Sequence, residues 1–162
     1  MIFIGIDVAK DKHDCCIVTA DNVVLKQFTI SNNVQGFDKL LENIALFTND
    51  LKDIKIGLEA TGHYSHNILG YLLDKELAPF IMNPLQVNIY KKSQSLRKTK
   101  TDTVDALVIA NILKSNINFM PYTNVMYNNE ELKSLTRYRL RKIRDKALRL
   151  VILVDLIHRM LF

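Results

Sequence analysis

Residues 2–7, I-F-I-G-I-D, constrain the fold of this chain more than any other stretch. The run is short, apolar and β-branched, and it ends in an acid, the pattern of a central strand buried on both faces. Such a strand needs cover above and below, so the chain must supply helices to both sides of a sheet. Residues 54–59, I-K-I-G-L-E, form a second short apolar run that also ends in an acid. Under the right-handed crossover rule the second run lies parallel to the first and beside it.

The remaining elements follow from periodicity. Residues 13–20 and 23–30 are β-rich, and Asp21-Asn22 between them suits a tight turn, so the chain opens as a three-stranded antiparallel meander. Ser31-Asn32-Asn33 can cap a helix carrying Phe37, Leu40, Leu41, Ile44, Ala45 and Phe47 at helical spacing. A second helix is expected over about 65–77, a fifth strand over 79–82, and a third helix from Asn83-Pro84 through Tyr90. Residues 91–100 hold five Lys/Arg and read as a mobile basic connector. A helix from Asp102 to about Lys114 follows. The order is βββ-α-β-α-β-α-α, which implies an α/β fold with a mixed sheet and helices on both faces. Residues 1–115 form this domain, 116–129 a linker, and 130–162 one long amphipathic helix. Its apolar stripe of Leu132, Leu135, Ile143, Ala147, Leu150, Val154, Ile157 and Leu161 suggests a helical, coiled-coil-like arm that self-associates as a homodimer or higher homo-oligomer.

Charge divides the chain. Residues 1–85 hold 7 Lys/Arg against 11 Asp/Glu, whereas residues 86–162 hold 15 against 6. An acidic front and a basic back suit either a polyanionic partner held beside an acidic pocket or a solvated basic helix surface. Cys15 and Cys16, the only cysteines, are neighbours on a strand and point to opposite faces. They read as small core residues in a reducing compartment, without metal-ligand spacing. The start lacks the basic region and long apolar core of a signal peptide, and no apolar run reaches membrane-span length, so a cytoplasmic protein with no membrane partner is expected.

The acids carry the chemistry. Asp7 and Glu59 end neighbouring parallel strands, where sites of such sheets lie. Asp102 and Asp105 stand three residues apart at a helix start and so share a face. Taken alone, that pair is better read as a helix cap with a dipole-favoured acid; what favours a site is the company of the other acids. Brought together, four carboxylates in a basic domain call for cations, and an oxygen-only donor set favours Mg²⁺ or Mn²⁺ over zinc. Two such ions can activate a nucleophile and stabilise the leaving oxygen in phosphodiester chemistry.

G-I-D-V-A-K at 5–10, E-A-T-G-H-Y at 59–64 and K-T-K-T-D-T-V-D-A at 98–106 resemble the catalytic motifs of the DEDD insertion-sequence transposases. That group includes the Piv-type DNA invertases and the recombinases guided by a bridge RNA. E-L-K-S-L-T-R-Y-R at 131–139 is similar to the start of the family's helical region. The resemblance spans essentially the whole chain. It implies a ribonuclease H-like, RuvC-like amino-terminal domain and a metal-binding catalytic tetrad of Asp7, Glu59, Asp102 and Asp105. It also implies DNA and a guide (bridge) RNA as partners, and a transposase or site-specific recombinase acting on DNA phosphodiesters. Family members continue into a second domain that carries a nucleophilic serine, which nothing here resembles. The chain therefore reads as a shortened piece or a decayed copy, inactive for full strand exchange by itself.

Other residues have two readings each. Thr61 and Gly62 serve a structural turn or contact substrate, and His63 and His66 are exposed loop residues or ligands. Lys10 and Lys12, beside Asp7, are candidates to hold a phosphate. Arg97, Lys98 and Lys100 border the tetrad, and Arg141 and Arg144 lie on the basic helix; all five are candidate nucleic-acid contacts. Tyr90, Tyr122 and Tyr138 pack in the core or stack on bases. Three alternatives remain: a non-catalytic guide-RNA binding module, a Holliday-junction resolvase-like nuclease, and an ATP-binding domain of the actin type. The last lacks its phosphate hairpin here, since Val8-Ala9-Lys10-Asp11 contains no Gly, Ser or Thr.

Overall fold

The computed structural model of the chain describes residues 1–59, 62–94, 102–115 and 119–161, without the side chains of 94 and 102–104. Two compact units divide at Thr123 and Asn124. The first is a five-stranded mixed sheet in the order β3-β2-β1-β4-β5. Its strands are β1 (Ile2–Val8), β2 (Lys12–Thr19), β3 (Val24–Ser31), β4 (Ile54–Glu59) and β5 (Pro79–Met82). The opening three strands run antiparallel, and β1 pairs parallel with β4, as does β4 with β5. This is the expected arrangement, with β1 at the centre and buried along nearly its whole length.

Alternation along β1 divides the core in two. Ile4 and Ile6, with Ile17, Ile56 and Leu58, are fully buried, as are Leu40 of α1 (Val34–Ala45) and Ile68 and Leu72 of α2 (His66–Asp74). The Asn33 side chain caps α1 by accepting from the Gly36 N–H at 2.9 Å, as the Ser31-Asn32-Asn33 stretch suggests. Phe3, Cys16 and Val18 belong to the opposite core, together with Val87 of α3 (Pro84–Gln94) and Ala106, Ile109, Ala110, Ile112 and Leu113 of α4 (Asp102–Ser115). Cys15 and Cys16 are both buried and free.

Helix α4 is apolar nearly all round because it is a buried helix rather than a surface one. It lies directly on β1. A Cβ added to Gly5 would come within 2.6 Å of the Ala110 backbone nitrogen and closer still to the Ala106 carbonyl oxygen. Only glycine permits that approach. The contact fixes where along β1 the first turns of α4 come to rest.

Two expectations need correction. The third helix runs on to Gln94, so Lys91 and Lys92 belong to a helix and not to the basic connector; residues 95–100 lie outside the described residues. The stretch 116–129 is not a linker throughout. Tyr122 is buried, and its N–H donates to the Pro79 carbonyl at 2.7 Å, tying this segment to the edge strand β5. The last helix, α5 (Asn124–Leu161), begins six residues before Glu130. Asn128 and Asn129 look like loop formers, but their low helix propensity costs only tenths of a kcal/mol, roughly, inside a long cooperative helix.

The second unit is α5 alone, 38 residues with no buried position. Its apolar residues from Leu132 to Leu161 are all exposed within the described chain. No helix among the described residues is long and apolar enough to cross a membrane.

Candidate functional site

Asp7 and Glu59 come together because β1 and β4 are in register. Gly5 pairs with Gly57 and Ile6 with Leu58, so the next step along the two parallel strands is Asp7 and Glu59. Asp7 shares the face of Phe3 and Gly5, the one that α4 covers. Since Gly5 rests under Ala106, the preceding residue Asp105 is carried toward Asp7. The electrostatics register this proximity. The Asp7 carboxyl is pushed up to about 6, first by burial, then by the negative charges of Asp105 and Glu59. The Lys91 ammonium opposes the rise and Asp14 adds slightly to it. Asp102 opens α4 on the same turn, but its side chain is outside the described set.

Asp14 and Lys91 escaped the sequence reading. Asp14 stands directly across from Asp7 in the β1–β2 pairing, where its carboxylate accepts the Thr29 hydroxyl at 2.5 Å. A hairpin register centred on Lys10 and Asp11 is the signal that would have found it. Lys91 places its ammonium 2.8 Å from the Asp105 carboxylate, with both side chains partly covered. The clue lay one turn earlier, at Val87: a buried apolar residue at i−4 puts Lys91 on the inward row of the same helix. Among the described residues no three His, Cys, Asp or Glu side chains are arranged to hold a metal ion together.

Below the acids, a polar clasp joins the ends of the two strands. His13 is fully buried, and its Nδ1 accepts the Ala9 N–H at 3.3 Å. Burial keeps this imidazole below its ordinary pKa and therefore neutral, against weaker opposing effects from Asn32, Lys12 and Asp14. Its ring stacks parallel to Phe37, with centroids 6.0 Å apart. Asn32 donates to the Lys10 carbonyl at 3.0 Å and to the Tyr64 carbonyl at 3.4 Å. One amide thus ties the turn after Asp7 to the 3₁₀ turn Gly62–Ser65 after Glu59.

The other predicted residues fall as follows. Lys10 and Lys12 are exposed at the β1–β2 turn. Gly62 has a φ of 58°, the left-handed conformation that glycine adopts without strain, which fits the structural-turn reading. His63 is exposed with its ring against Tyr64, and His66 opens α2 half-buried. Tyr122 is buried and Tyr90 packs against the α4 core, whereas Tyr138 is exposed on α5. Arg141 and Arg144 are exposed on α5. Thr61, Arg97, Lys98 and Lys100 lie outside the described residues.

Comparison with known proteins gives a consistent set of matches. The profile of the IS110-type DEDD transposases matches residues 4–153. The pilin gene-inverting protein of Moraxella lacunata is 34% identical over 108 residues, covering 67% of this chain and 33% of that protein. The mini-circle putative transposase for IS117 of Streptomyces coelicolor is 32% identical over 118 residues, covering 72% of this chain and 28% of that protein. The chain therefore spans about a third of the length of the curated relatives it matches. Among solved structures, Thermus thermophilus RuvC superimposes with a TM-score of 0.54 at 13% identity, over 75% of this chain and all of that one. The same protein in complex with a Holliday junction substrate gives 0.50 at 12% identity over 75% of this chain and 99% of that one. These two likenesses establish a RuvC-like fold.

Proposed function

Because this chain belongs to the IS110-type DEDD transposase family, we propose that its sheet unit is the metal-dependent domain of a DNA transposase or site-specific recombinase. Its substrates are the DNA phosphodiesters cut and joined when an insertion sequence moves. Support for this reading comes from the topology: Asp7 and Glu59 stand at the ends of neighbouring parallel strands, and Asp105 lies in the first turn of the helix seated on β1. RuvC-like DEDD domains generally use divalent metals, and an all-carboxylate donor set suits Mg²⁺ or Mn²⁺. Asp7, Glu59, Asp102 and Asp105 would hold the metal. When bound, it supplies Lewis-acid stabilisation of the attacking and leaving oxygens of a phosphodiester.

The chain's own residues do the rest. The His13–Asn32 clasp fixes the turns that follow Asp7 and Glu59, so the two strand-end carboxylates stay in one geometry. Lys10, Lys12, Thr61, Arg97, Lys98 and Lys100 border this corner in the sequence and supply phosphate contacts that position DNA. Arg141 and Arg144 are exposed on α5, where DNA or a guide RNA can bind by charge. The uncovered apolar stripe of α5 joins two copies, which suits a reaction that holds two DNA ends.

Mn²⁺ titration by calorimetry tests the site. The wild-type chain should bind Mn²⁺ saturably, and an Asp7→Ala, Asp105→Ala double variant should lose that binding. Unchanged affinity in the double variant would overturn the assignment.

A further inference from the structure

Among the described residues, Lys91 brings a basic side chain to the acid corner, where the sequence suggests a mobile basic connector. Its position is built into the fold. Val87, one turn earlier on α3, is buried in the α4 core, and Tyr90 packs against the same core. Those two anchors turn the next inward position of α3 toward the start of α4. The ammonium reaches the Asp105 carboxylate at 2.8 Å with 28% of the Lys91 side chain exposed, unlike a freely waving surface lysine. It also acts electrostatically on Asp7, across the corner from Asp105. One compact positive charge therefore faces two of the proposed ligands.

We propose that Lys91 is a positioning residue, the resident counter-charge of the carboxylate corner, which exchanges with the divalent cation as that ion binds. The inference rests on the metal reading above and deepens it. Carboxylates of like charge cannot stay close in the metal-free chain without a cation between them or a proton on one of them. A lysine ammonium is suited to the task because it is a mobile point charge on a flexible stem, able to enter and leave without moving the backbone. The described geometry has Asp105 engaged by Lys91. Exchange would free Asp105 to join Asp7 and Glu59.

The experiment is Mn²⁺ calorimetry and thermal melting of the full chain at pH 7.5, in wild type, Lys91→Met and Lys91→Arg. Removing the competing charge should tighten Mn²⁺ binding by about tenfold, the screened effect of one charge a few ångströms away. Lys91→Arg keeps the charge and should stay within about threefold of wild type. Without metal, Lys91→Met should melt below wild type, and saturating Mn²⁺ should erase that deficit. A merely structural lysine would leave the same deficit with and without metal. Unchanged or weakened Mn²⁺ binding in Lys91→Met, while the wild type binds, overturns the exchange but leaves the metal site standing. Failure of the wild type to bind Mn²⁺ saturably, or full affinity in the Asp7→Ala, Asp105→Ala variant, overturns both. Should Lys91→Met fail to fold, Lys91→Gln carries the same comparison.

Discussion

The sheet unit and helix α5 are both rich in apolar residues, yet they use them oppositely. In the sheet unit Ile4, Ile6, Ile109 and Leu72 are at or near zero exposure. Along α5, Leu135, Leu150, Val154 and Ile157 are each about half exposed or more. The sheet unit buries its apolar side chains between its own strands and helices, whereas none of the described residues of α5 is buried. An isolated helix of this kind gains little from its own apolar stripe, because burial and not propensity is what stabilises helices in proteins. The contrast teaches that the sheet unit packs a core of its own, whereas α5 leaves its apolar residues exposed.

The strongest test of that contrast strikes the tightest contact. Gly5→Val should destabilise the sheet unit by about 3 kcal/mol or more, because its Cβ would press into the α4 backbone. Ile109→Ala, fully buried, should cost about 2–5 kcal/mol by the same denaturant measurement. If either were neutral, the close seating of α4 on β1 would be wrong, and with it the approach of Asp105 to Asp7.

Charge should separate the two regions next. Reversing Arg97, Lys98, Arg141 and Arg144 to Glu should weaken DNA binding by roughly 100-fold at moderate salt and flatten its salt dependence, since phosphate neutralisation releases counterions. Binding left intact would make the basic back half a solvated surface only. Reversing Arg141 and Arg144 alone asks how much of the effect belongs to α5.

A smaller effect concerns Asp7 in the metal-free chain. Its folded pKa of about 6 lies above the ordinary 3.8, so the folded state holds a proton that the unfolded state has released between those values. Stability is unaffected below about pH 3.8, falls as pH rises through 6, and stays lowered above it. Asp7→Asn should therefore raise stability at pH 7.5 by about 1–2 kcal/mol, allowing for solvent screening of a partly exposed group, and by nothing at pH 3. An equal gain at both pH values would mean that charge is not the cause.

The smallest expected change lies on α5. Leu150→Ala or Ile157→Ala should shift the stability of the monomer by no more than about 0.5 kcal/mol, as for other exposed positions. The same substitutions should dissociate an oligomer held by the stripe, read by sedimentation against concentration. A wild-type chain that stays monomeric at high concentration would reject self-association.

Sequence by itself determined the five strands almost to the residue, the parallel neighbourhood of β1 and β4, and the acids that end them. Those features travel in local patterns: a period of two, short β-branched runs, and an acid where each run stops. The start of α4 at Asp102 was legible for the same reason, an acid and an apolar helical spacing side by side. Tertiary structure alone decided the rest. Asp14 faces Asp7 only through the β1–β2 register, and Lys91 meets Asp105 only because Val87 seats α3 against α4. Tyr122 is held at the sheet edge by a bond to Pro79, far away in sequence. Composition marks a residue as acidic, basic or aromatic, but which charges confront one another depends on register and on how closely backbones approach. Here that distance was set by a missing side chain, at Gly5.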